Sequence, residues 1–408
     1  MWPCLIVVTC GRSPSSARLG QSPGAGSVGP VAEGVHAINR YLTGCAAFAV
    51  LIAPVLDAKA QEANDAYRRI EPPMQLPARS MRILVYYDME GLAGQADWRS
   101  FFFRYEAAYR QGQKFLIADV NAVIEGLFEG GATEVHVVDS HGSGNPEPDL
   151  PIEKLDPRAK PVLRNEQFES YSGLVEKNAF DAVVAVGMHA RTGTSGFAAH
   201  TYEFGKQIAF NGRALSETEI IAFSWGRVGV PVIFVSGDDA AKLDLSDMPW
   251  LEYVTVKKSR STTEVELLPV DVAHRQLREG ARRAVVNRAR ARAVKVAEPV
   301  QVRLRTYPPA SLAMLEGVPG IDYRDNEVSF VAPDFASAYK GVEALIRVSN
   351  LEYNQVLYNV IRKRPERREI FFEYLDSVAT QGITASVPSP TPGAAAVTGK
   401  PRPYFGEQ

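Results

Sequence analysis

Residues 81–91 read MRILVYYDMEG, a short apolar run that ends in two carboxylates and a glycine. Alternate residues of a strand point the same way, so the pattern Asp-x-Glu places Asp88 and Glu90 on one side of an extended chain. Two oxygen ligands directed at one point suit a divalent metal. Taken alone, the acid pair would equally well do no more than terminate the strand.

Apolar runs and amphipathic stretches alternate after residue 81, which is typical of a mostly parallel sheet with helices on both faces. Predicted strands span 82–87, 134–138, 182–186 and 230–235, and predicted helices span 105–129 and 216–225. Polar residues follow each predicted strand. Because the carboxyl ends of parallel strands share one edge of a sheet, the pattern predicts an α/β fold with a metal site at that edge.

Changes in composition and hydrophobic pattern along the sequence divide the chain into five predicted parts. We predict a leader with a signal peptide over 1–60, a linker over 61–80, a metal-binding catalytic α/β domain over 81–258, a smaller α+β domain over 259–350 and a C-terminal extension over 351–408. The smaller domain contains a basic helical pattern over 269–293. The extension is expected to form one helix or two over 351–380 and to be disordered from 381.

The leader has the order of a secretory signal peptide. Arg40 precedes an apolar run over 41–56, and Ala58-Lys-Ala60 follows it, which predicts cleavage after Ala60. A permanent transmembrane anchor is the alternative, but the run is short for a span and contains Pro54. We therefore expect an exported protein, periplasmic or secreted, with no stable membrane anchor after cleavage.

Cysteine content and net charge exclude several classes of function. All three cysteines, Cys4, Cys10 and Cys45, lie in the predicted leader, so the mature chain has neither a cysteine nucleophile nor a cysteine zinc site. The formal net charge of -2 favours neither nucleic acid nor an anionic membrane as a partner. No G-x-S-x-G elbow and no H-E-x-x-H helix occurs, which argues against serine hydrolases and thermolysin-like enzymes.

Three of the six histidines, His141, His189 and His200, lie in the loops that follow predicted strands. Together with the two acids of the first strand they form the donor set that zinc accepts. They would also suffice for two ions about 3.5–4 Å apart. Each histidine alone has a structural explanation, as part of a polar loop or a tight turn, and only their joint placement favours a metal site.

Other polar residues near these loops are less decisive. Asp139 is a candidate to accept the second ring proton of a ligand histidine, a common arrangement in metal sites. Asp238 and Asp239 would either bind a substrate amine or begin a helix, and the helix start is favoured. The glycine-rich segment 191–200 is expected to be a mobile loop that carries His200 toward the site.

Several motifs, in order, resemble those of the zinc D-aminopeptidases, self-compartmentalising metallopeptidases of the dipeptide-operon type. The motifs are Tyr87-Asp-Met-Glu-Gly91, Val138-Asp-Ser-His141, Gly187-Met-His-Ala-Arg191, Ala199-His200, Asn211-Gly-Arg-Ala-Leu-Ser-Glu217 and Ser236-Gly-Asp-Asp239. The resemblance covers residues 81 to about 350. It implies a ring-shaped homo-oligomer and a short peptide as substrate.

The resemblance also implies roles for single residues. The zinc ligands would be Asp88, Glu90, His141, His189 and Glu217. Glu217 is chosen over Glu219 because the Asn-Gly-Arg motif precedes it at the matching interval. His200 corresponds to a histidine that is not a ligand and acts in catalysis, as nucleophile or as acid/base group.

The expected function is an exported zinc aminopeptidase, with two zinc ions, that releases N-terminal residues, including D-amino acids, from short peptides by metal-activated water. Another two-metal hydrolase on the same scaffold, an amidase or a phosphoesterase, is the first alternative. A non-catalytic protein that binds metal or peptide is the second. Nothing in the sequence indicates the chirality of the substrate.

Overall fold

The computed structural model describes residues 67–73, 80–145, 147–162, 171–308 and 310–386. Within these residues the strands are β1 (Arg68–Ile70), β2 (Arg82–Tyr87), β3 (Glu134–Asp139), β4 (Ala159–Val162), β5 (Ala182–Met188), β6 (Lys206–Phe210), β7 (Arg213–Ala214), β8 (Val232–Asp238), β9 (Glu252–Ser259), β10 (Val265–Leu267), β11 (Val294–Val296), β12 (Val300–Thr306), β13 (Asp322–Arg324) and β14 (Glu327–Ala332). The helices are α1 (Glu106–Glu129), α2 (Glu217–Gly226), α3 (Asp239–Asp244), α4 (Val270–Val286), α5 (Phe335–Ser349), α6 (Leu351–Ile361) and α7 (Arg367–Ser386).

A seven-stranded sheet has the order β10-β9-β8-β5-β2-β3-β4. Neighbouring strands from β9 to β4 are parallel, and β10 pairs antiparallel with β9 at one edge. The chain runs outward from β2 to β3 and β4 and then returns to β5 on the other side of β2. Such a reversal of strand order is where ligands bind in open α/β sheets, so the end of β2 is the expected place for a site.

The central strands of this sheet are buried on both faces, which explains why they are apolar at consecutive positions. In β2, Ile83 and Val85 belong to the hydrophobic core beneath α1 and α4. Leu84 and Tyr86 belong to a second core, which also contains residues of α2, α5 and β12. The predicted fold class, a mostly parallel sheet covered on both faces, is confirmed.

A second sheet is antiparallel, with the order β13-β14-β12-β6-β7, and α5 packs against β12 and β14. Its strands β6 and β7 come from the predicted catalytic domain, whereas β10 and α4 of the first sheet follow residue 258. The two sheets therefore do not divide at residue 258. The domain boundaries themselves stay a prediction.

Two segments differ from the sequence prediction. Residues 67–70 were assigned to a linker, but Tyr67 is buried against Phe223 and residues 68–70 pair with β11. The polar sequence concealed this, because Arg68 is buried beside Asp247 with their charged atoms 2.8 Å apart. The basic helix expected to reach residue 293 ends at Val286, where a short turn leads into β11.

The extension forms two helices, α6 and α7, and α7 continues to residue 386 although disorder was expected from 381. The rest of the predicted disordered segment, residues 387–408, and the predicted signal peptide lie outside the described residues. Among the described helices, none has both the length and the apolar character needed to cross a membrane.

Candidate metal centre

The predicted donor residues meet at the carboxyl edge of the seven-stranded sheet. Asp88 directly follows β2, His141 lies two residues after β3, and His189 directly follows β5. All three side chains are buried. Parallel pairing of β2 with both β3 and β5 brings these strand ends together, as the sequence predicted.

Two glycines let the ends of β2 and β5 approach closely. Gly91 donates its N–H to the carbonyl of Gly187 over 2.7 Å, and a Cβ on Gly91 would lie 2.0 Å from the carbonyl oxygen of Met188. Gly187 has a φ of 77°, in the left-handed region that favours glycine. The two ligand-bearing loops are thus locked to each other through their backbones.

One group of donors surrounds His141. Its Nδ1 lies 2.9 Å from Asp88 Oδ1 and 3.2 Å from Glu90 Oε2. Its Nε2 lies 2.8 Å from the carbonyl oxygen of Phe101, which accepts the ring proton. This hydrogen bond orients the imidazole with Nδ1 facing the carboxylates.

A second group surrounds His189. Its Nε2 lies 3.4 Å from Asp88 Oδ2 and 3.5 Å from Glu217 Oε2. Its Nδ1 donates to the carbonyl of Ala190 over 3.0 Å, which fixes the ring. The buried Nε2 of His189 makes no hydrogen bond with any described residue. The two oxygens of Asp88 therefore face two separate donor groups.

The structure separates Glu217 from Glu219. Glu217 begins α2 and turns into the cluster, where Tyr202 N–H donates to its Oε1 over 2.6 Å and the Tyr171 hydroxyl donates to its Oε2. Glu219 instead completes a capping box with Ser216 and pairs with Arg213 at 3.2 Å. Glu219 thus stabilises the helix start, while Glu217 is the acid available to a metal.

His200 lies beside the second group. Its ring stacks on that of His189 with centroids 3.9 Å apart, and its Nε2 lies 3.7 Å from Glu217 Oε1. Nδ1 donates to the carbonyl of Ala198 over 2.8 Å, so Nε2 presents its lone pair to the site. Segment 191–200 is fixed at this point, because Ala198 N–H donates to Thr262.

Burial and mutual charge shift the pKa values of the cluster. Burial and the charge of Asp88 raise the pKa of Glu90 to about 7, whereas burial and the positive charge of His189 lower the pKa of His200 to about 4. Burial alone would lower the pKa values of His141 and His189, but the surrounding carboxylates outweigh it and raise both. The cluster thus favours positive charge at its centre.

Asp139 does not accept a ring proton from His141 or His189, since the carbonyls of Phe101 and Ala190 take that place. Its carboxylate accepts instead the backbone N–H groups of His141 and Asp149, each over 2.9 Å. Asp139 therefore supports the ligand loop through the backbone. A carbonyl acceptor depends on how loops pack, which the sequence does not reveal.

Asp238 and Asp239 lie in the positions favoured by the sequence. Asp238 caps α3, accepting the N–H of Ala241 over 2.7 Å, and Asp239 is the first residue of that helix. Asp239 also accepts the N–H of Ser259 over 2.8 Å. Both acids thus have structural partners, and neither lines the cleft that holds the donor cluster.

Sequence reasoning missed several residues around the donors. Tyr171 contacts Glu217, but nothing in its sequence context marks it. Lys257 is fully buried beneath the Asp-x-Glu loop, donates to the carbonyls of Glu90 and Gln95, and has its pKa lowered by burial to about 7. Nothing in the sequence EYVTVKKS of β9 distinguishes buried Lys257 from its exposed neighbour Lys258.

The donors open into a cleft of about 340 Å³, within the range of small-ligand pockets. Its lining combines the acids and histidines of the cluster with the aromatic residues Phe102, Tyr171, Tyr202, Phe204 and Tyr353. A small molecule that enters this cleft can therefore reach the donor cluster.

The donor set fits divalent metal. Three buried carboxylates, from Asp88, Glu90 and Glu217, converge without a lysine or arginine within 4.0 Å in the part of the chain that the structure describes. In a tetrahedral zinc site each donor lies about 2.0–2.1 Å from the metal, so two donors lie about 3.4 Å apart. His189 Nε2 lies at nearly this distance from oxygens of Asp88 and Glu217, at 3.4 and 3.5 Å. Buried carboxylates of this kind require a compensating cation.

This chain is similar to known D-aminopeptidases. The family model described as D-aminopeptidase, peptidase M55, matches residues 81–344. The D-aminopeptidase of Bacillus subtilis (strain 168) is 30% identical over 269 residues, which cover 64% of this chain and 95% of the relative.

A solved structure, the Zn-dependent D-aminopeptidase DppA from Bacillus subtilis, a self-compartmentalizing protease, superimposes with a TM-score of 0.60 and 27% identity. The match covers 66% of this chain and 98% of the DppA chain. The resemblance seen in the sequence motifs is confirmed. The chain therefore belongs to the D-aminopeptidase family of peptidases.

Proposed function

We propose that this protein is a zinc aminopeptidase that removes the N-terminal residue from short peptides, including peptides that begin with a D-amino acid. The observation that carries the proposal is the position of His189. Its buried Nε2 faces two carboxylates at 3.4 and 3.5 Å, makes no hydrogen bond with a described residue, and belongs to a ring fixed through the other nitrogen. This is the arrangement of a metal-ligating imidazole.

Two zinc ions suit the donor set better than one. Asp88 Oδ1 faces the group of His141 and Glu90, while Asp88 Oδ2 faces the group of His189 and Glu217. A carboxylate between two sets of terminal ligands is the usual bridge of a two-metal hydrolase. Zinc held here would supply Lewis acidity toward the scissile carbonyl and would make water nucleophilic near neutral pH.

His200 is suited to move the proton. Its Nε2 lone pair faces the cluster, so it can take a proton from the attacking water and return it to the nitrogen of the leaving amine as the C–N bond breaks. The His200 ring is stacked between the rings of His189 and Phe204, with centroid distances of 3.9 and 4.3 Å, and this packing holds it in place. We therefore propose His200 as the acid/base group. Its Nε2 also lies close enough to donor atoms of His189 and Glu217 to share a metal ion with them, so the zinc content of His200→Ala distinguishes the two roles.

The test is zinc analysis of the purified protein, paired with hydrolysis of D-Ala and L-Ala dipeptides. We expect bound zinc, release of the first residue, and loss of both in His189→Ala. The control is His136→Ala on β3, a partly exposed histidine that pairs with Glu134 away from the strand end. An active protein without metal would refute the proposal, and phosphate release without peptide cleavage would favour the phosphoesterase alternative.

We also propose that the chain assembles with itself. Support comes from the description of DppA as self-compartmentalizing and from the large apolar side chains exposed on the two C-terminal helices. These are Leu351, Tyr353, Val356, Leu357 and Val360 on α6 and Ile370, Phe371, Phe372, Tyr374, Leu375 and Val378 on α7. Light scattering should give the mass of a ring, and a monomer at micromolar concentration would exclude it.

Export is the third part of the proposal. The order of Arg40, the apolar run over 41–56 and Ala58-Lys-Ala60 supports a signal peptide cleaved after Ala60. In a periplasm, peptides with D-amino acids from cell-wall turnover would be available as substrates. N-terminal sequencing of the protein from its own cells should begin at Gln61, and an intact leader would contradict export.

A further inference from the structure

The cleft of the metal centre contains a second polar group that the proposed chemistry does not use. Glu203, Asn350 and Tyr353 line the same cavity as the metal donors. Asn350 Nδ2 lies 3.0 and 2.9 Å from the two carboxylate oxygens of Glu203. This hydrogen bond fixes the carboxylate at the cleft wall while leaving it accessible from the cavity.

The backbone before Glu203 is held in an unusual conformation. Tyr202 has a φ of 72°, which is rare for an aromatic residue and costs about 1–3 kcal/mol unless the surroundings enforce it. The turn is enforced by the metal centre, since Tyr202 N–H donates to Glu217 Oε1 over 2.6 Å. Thr201 and Glu203 pair across the turn. Glu203 is therefore positioned by the same carboxylate that faces His189.

The charge of Glu203 is not matched by an ion pair. Of the four acids that line the cleft, Asp88, Glu90 and Glu217 belong to the donor cluster, and no lysine or arginine lines it among the described residues. Glu203 makes no salt bridge within 4.0 Å with the described part of the chain. Lys206, whose charge favours the ionised form of Glu203, donates instead to Ser349 Oγ over 2.7 Å.

Burial makes this carboxylate receptive to a cation. Burial raises the pKa of Glu203, and the hydrogen bond from Asn350 offsets that effect only in part. Phe204 and Tyr353 are partly exposed and add aromatic surface to the cavity. The ring of Tyr353 already receives one ammonium group, because Lys206 Nζ lies 5.3 Å from its centroid. A carboxylate with aromatic neighbours is a suitable receptor for an organic ammonium ion.

We propose that Glu203 binds a primary ammonium group of the peptide substrate while the peptide bond lies at the metal centre. The ammonium is either the free amino terminus or a basic side chain of the first residue, which present the same chemistry. The inference rests on the proposed function, because it assumes that a peptide enters this cleft. It assigns a contact with the substrate amine to a carboxylate outside the donor cluster.

The subsite is built in part by a segment outside the family match. The match to the D-aminopeptidase model ends at residue 344, whereas Asn350 and Tyr353 lie beyond it at the junction of α5 and α6. The C-terminal extension thus reaches the cleft. Glu203 itself lies within the family match, so what this chain adds is the support of that carboxylate by Asn350 and Tyr353.

The experiment compares the wild-type full chain with Glu203→Gln. The substrates are the D and L forms of alanine anilide and lysine anilide, together with the achiral anilide of propionate, which lacks the amine. We expect kcat/KM to fall about 10- to 100-fold through KM, with zinc content unchanged. A loss for alanine and lysine substrates, with none for the propionate, assigns the amino terminus. A loss for lysine alone assigns the side chain.

Two further variants guard the interpretation. Glu203→Asp keeps the charge and should retain more activity than Glu203→Gln. The matched control is Glu343→Gln, an acid 3.5 Å from the Tyr202 hydroxyl that does not line the cleft, and it should change kcat/KM less than about threefold. A change below threefold in Glu203→Gln on every substrate would overturn the inference.

Calorimetric titration with alaninol, which has the amine but no amide bond to cleave, separates this inference from the proposed function. If the wild-type protein cleaves nothing but binds the amine at least about 10-fold more tightly than Glu203→Gln, the function fails and the ammonium site stands. If the wild-type protein cleaves peptides and the two bind the amine equally, the ammonium site fails and the function stands.

Discussion

The two ends of the cleft are built in different ways. At the inner end, Asp88, His141 and His189 follow strands of a fully buried sheet, and each is at most 5% exposed. At the outer end, Glu203 sits on a strained loop, Phe204 is 44% exposed and Tyr353, on α6, is 37% exposed. Bond-breaking chemistry requires the desolvated and rigid inner end, whereas substrate selection can be placed on loops and appended helices.

The two ends also balance their charges differently. The inner carboxylates face imidazoles whose other nitrogens are fixed by carbonyls, an arrangement that a metal completes. The outer carboxylate of Glu203 is hydrogen-bonded by the neutral side chain of Asn350, and Lys206 acts on it through its charge without a salt bridge among the described residues. Variants at the inner end should therefore change metal content and kcat, and variants at the outer end should change KM.

The largest effect should separate two acids of one helix. Glu217→Gln removes a carboxylate oxygen that faces His189, so we expect loss of bound zinc and a fall in kcat/KM of about a thousandfold. Glu219→Gln removes a charge that pairs with Arg213, so it should cost about 1–3 kcal/mol of unfolding free energy with zinc retained. Metal analysis measures the zinc content of each variant, and thermal unfolding measures its loss of stability.

The opposite pattern, with zinc lost in Glu219→Gln and kept in Glu217→Gln, would break the distinction between ligand and capping residue. If both variants kept the wild-type zinc content, metal binding at the inner end would not depend on Glu217.

The next effect concerns the acid/base group. His200→Ala should lower kcat by about 100- to 1,000-fold with zinc content unchanged, because its Nε2 faces the donor cluster and we assign it to proton transfer. Single-turnover kinetics and metal analysis provide the measurement. If zinc is lost as well, His200 is a ligand, and the inner end contains one more donor than we assign.

The smallest effect should come from the outer end. Tyr353→Ala removes part of the cleft wall, so KM should rise about three- to tenfold while kcat and zinc stay constant. The control is Tyr374→Ala on α7, a similarly exposed tyrosine that does not line the cleft. Steady-state kinetics on one dipeptide is sufficient. A fall in kcat at constant KM would remove the proposed division between the two ends.

The inner end was largely predictable from the sequence, for a physical reason. Asp88, His141 and His189 each follow an apolar run, and parallel strands bring such positions to one edge however far apart they lie in the chain. The choice of Glu217 over Glu219 needed the family motif, because both acids lie in the first turn of α2. The local capping box Ser216-x-x-Glu219 assigns Glu219 to the helix start, and the contacts of Glu217 with Tyr171 and Tyr202 are visible only in the structure.

The outer end was not predictable. Glu203 and Asn350 are 147 residues apart and meet only because α5 returns over the second sheet. Asp139 was assigned a ring proton that loop carbonyls accept, and Tyr67 was assigned to a linker although it is buried. In each case the decisive partner is a backbone group or a distant side chain, which leaves no periodic signal in the sequence.

X-ray diffraction from crystals of the full-length protein at the zinc absorption edge would locate the metal ions. We expect two anomalous peaks, one about 2.0–2.1 Å from His141 Nδ1 and one at that distance from His189 Nε2, with Asp88 between them. Zinc located only elsewhere, or no peak here after zinc is added, would contradict the assignment of this sheet edge as the metal centre.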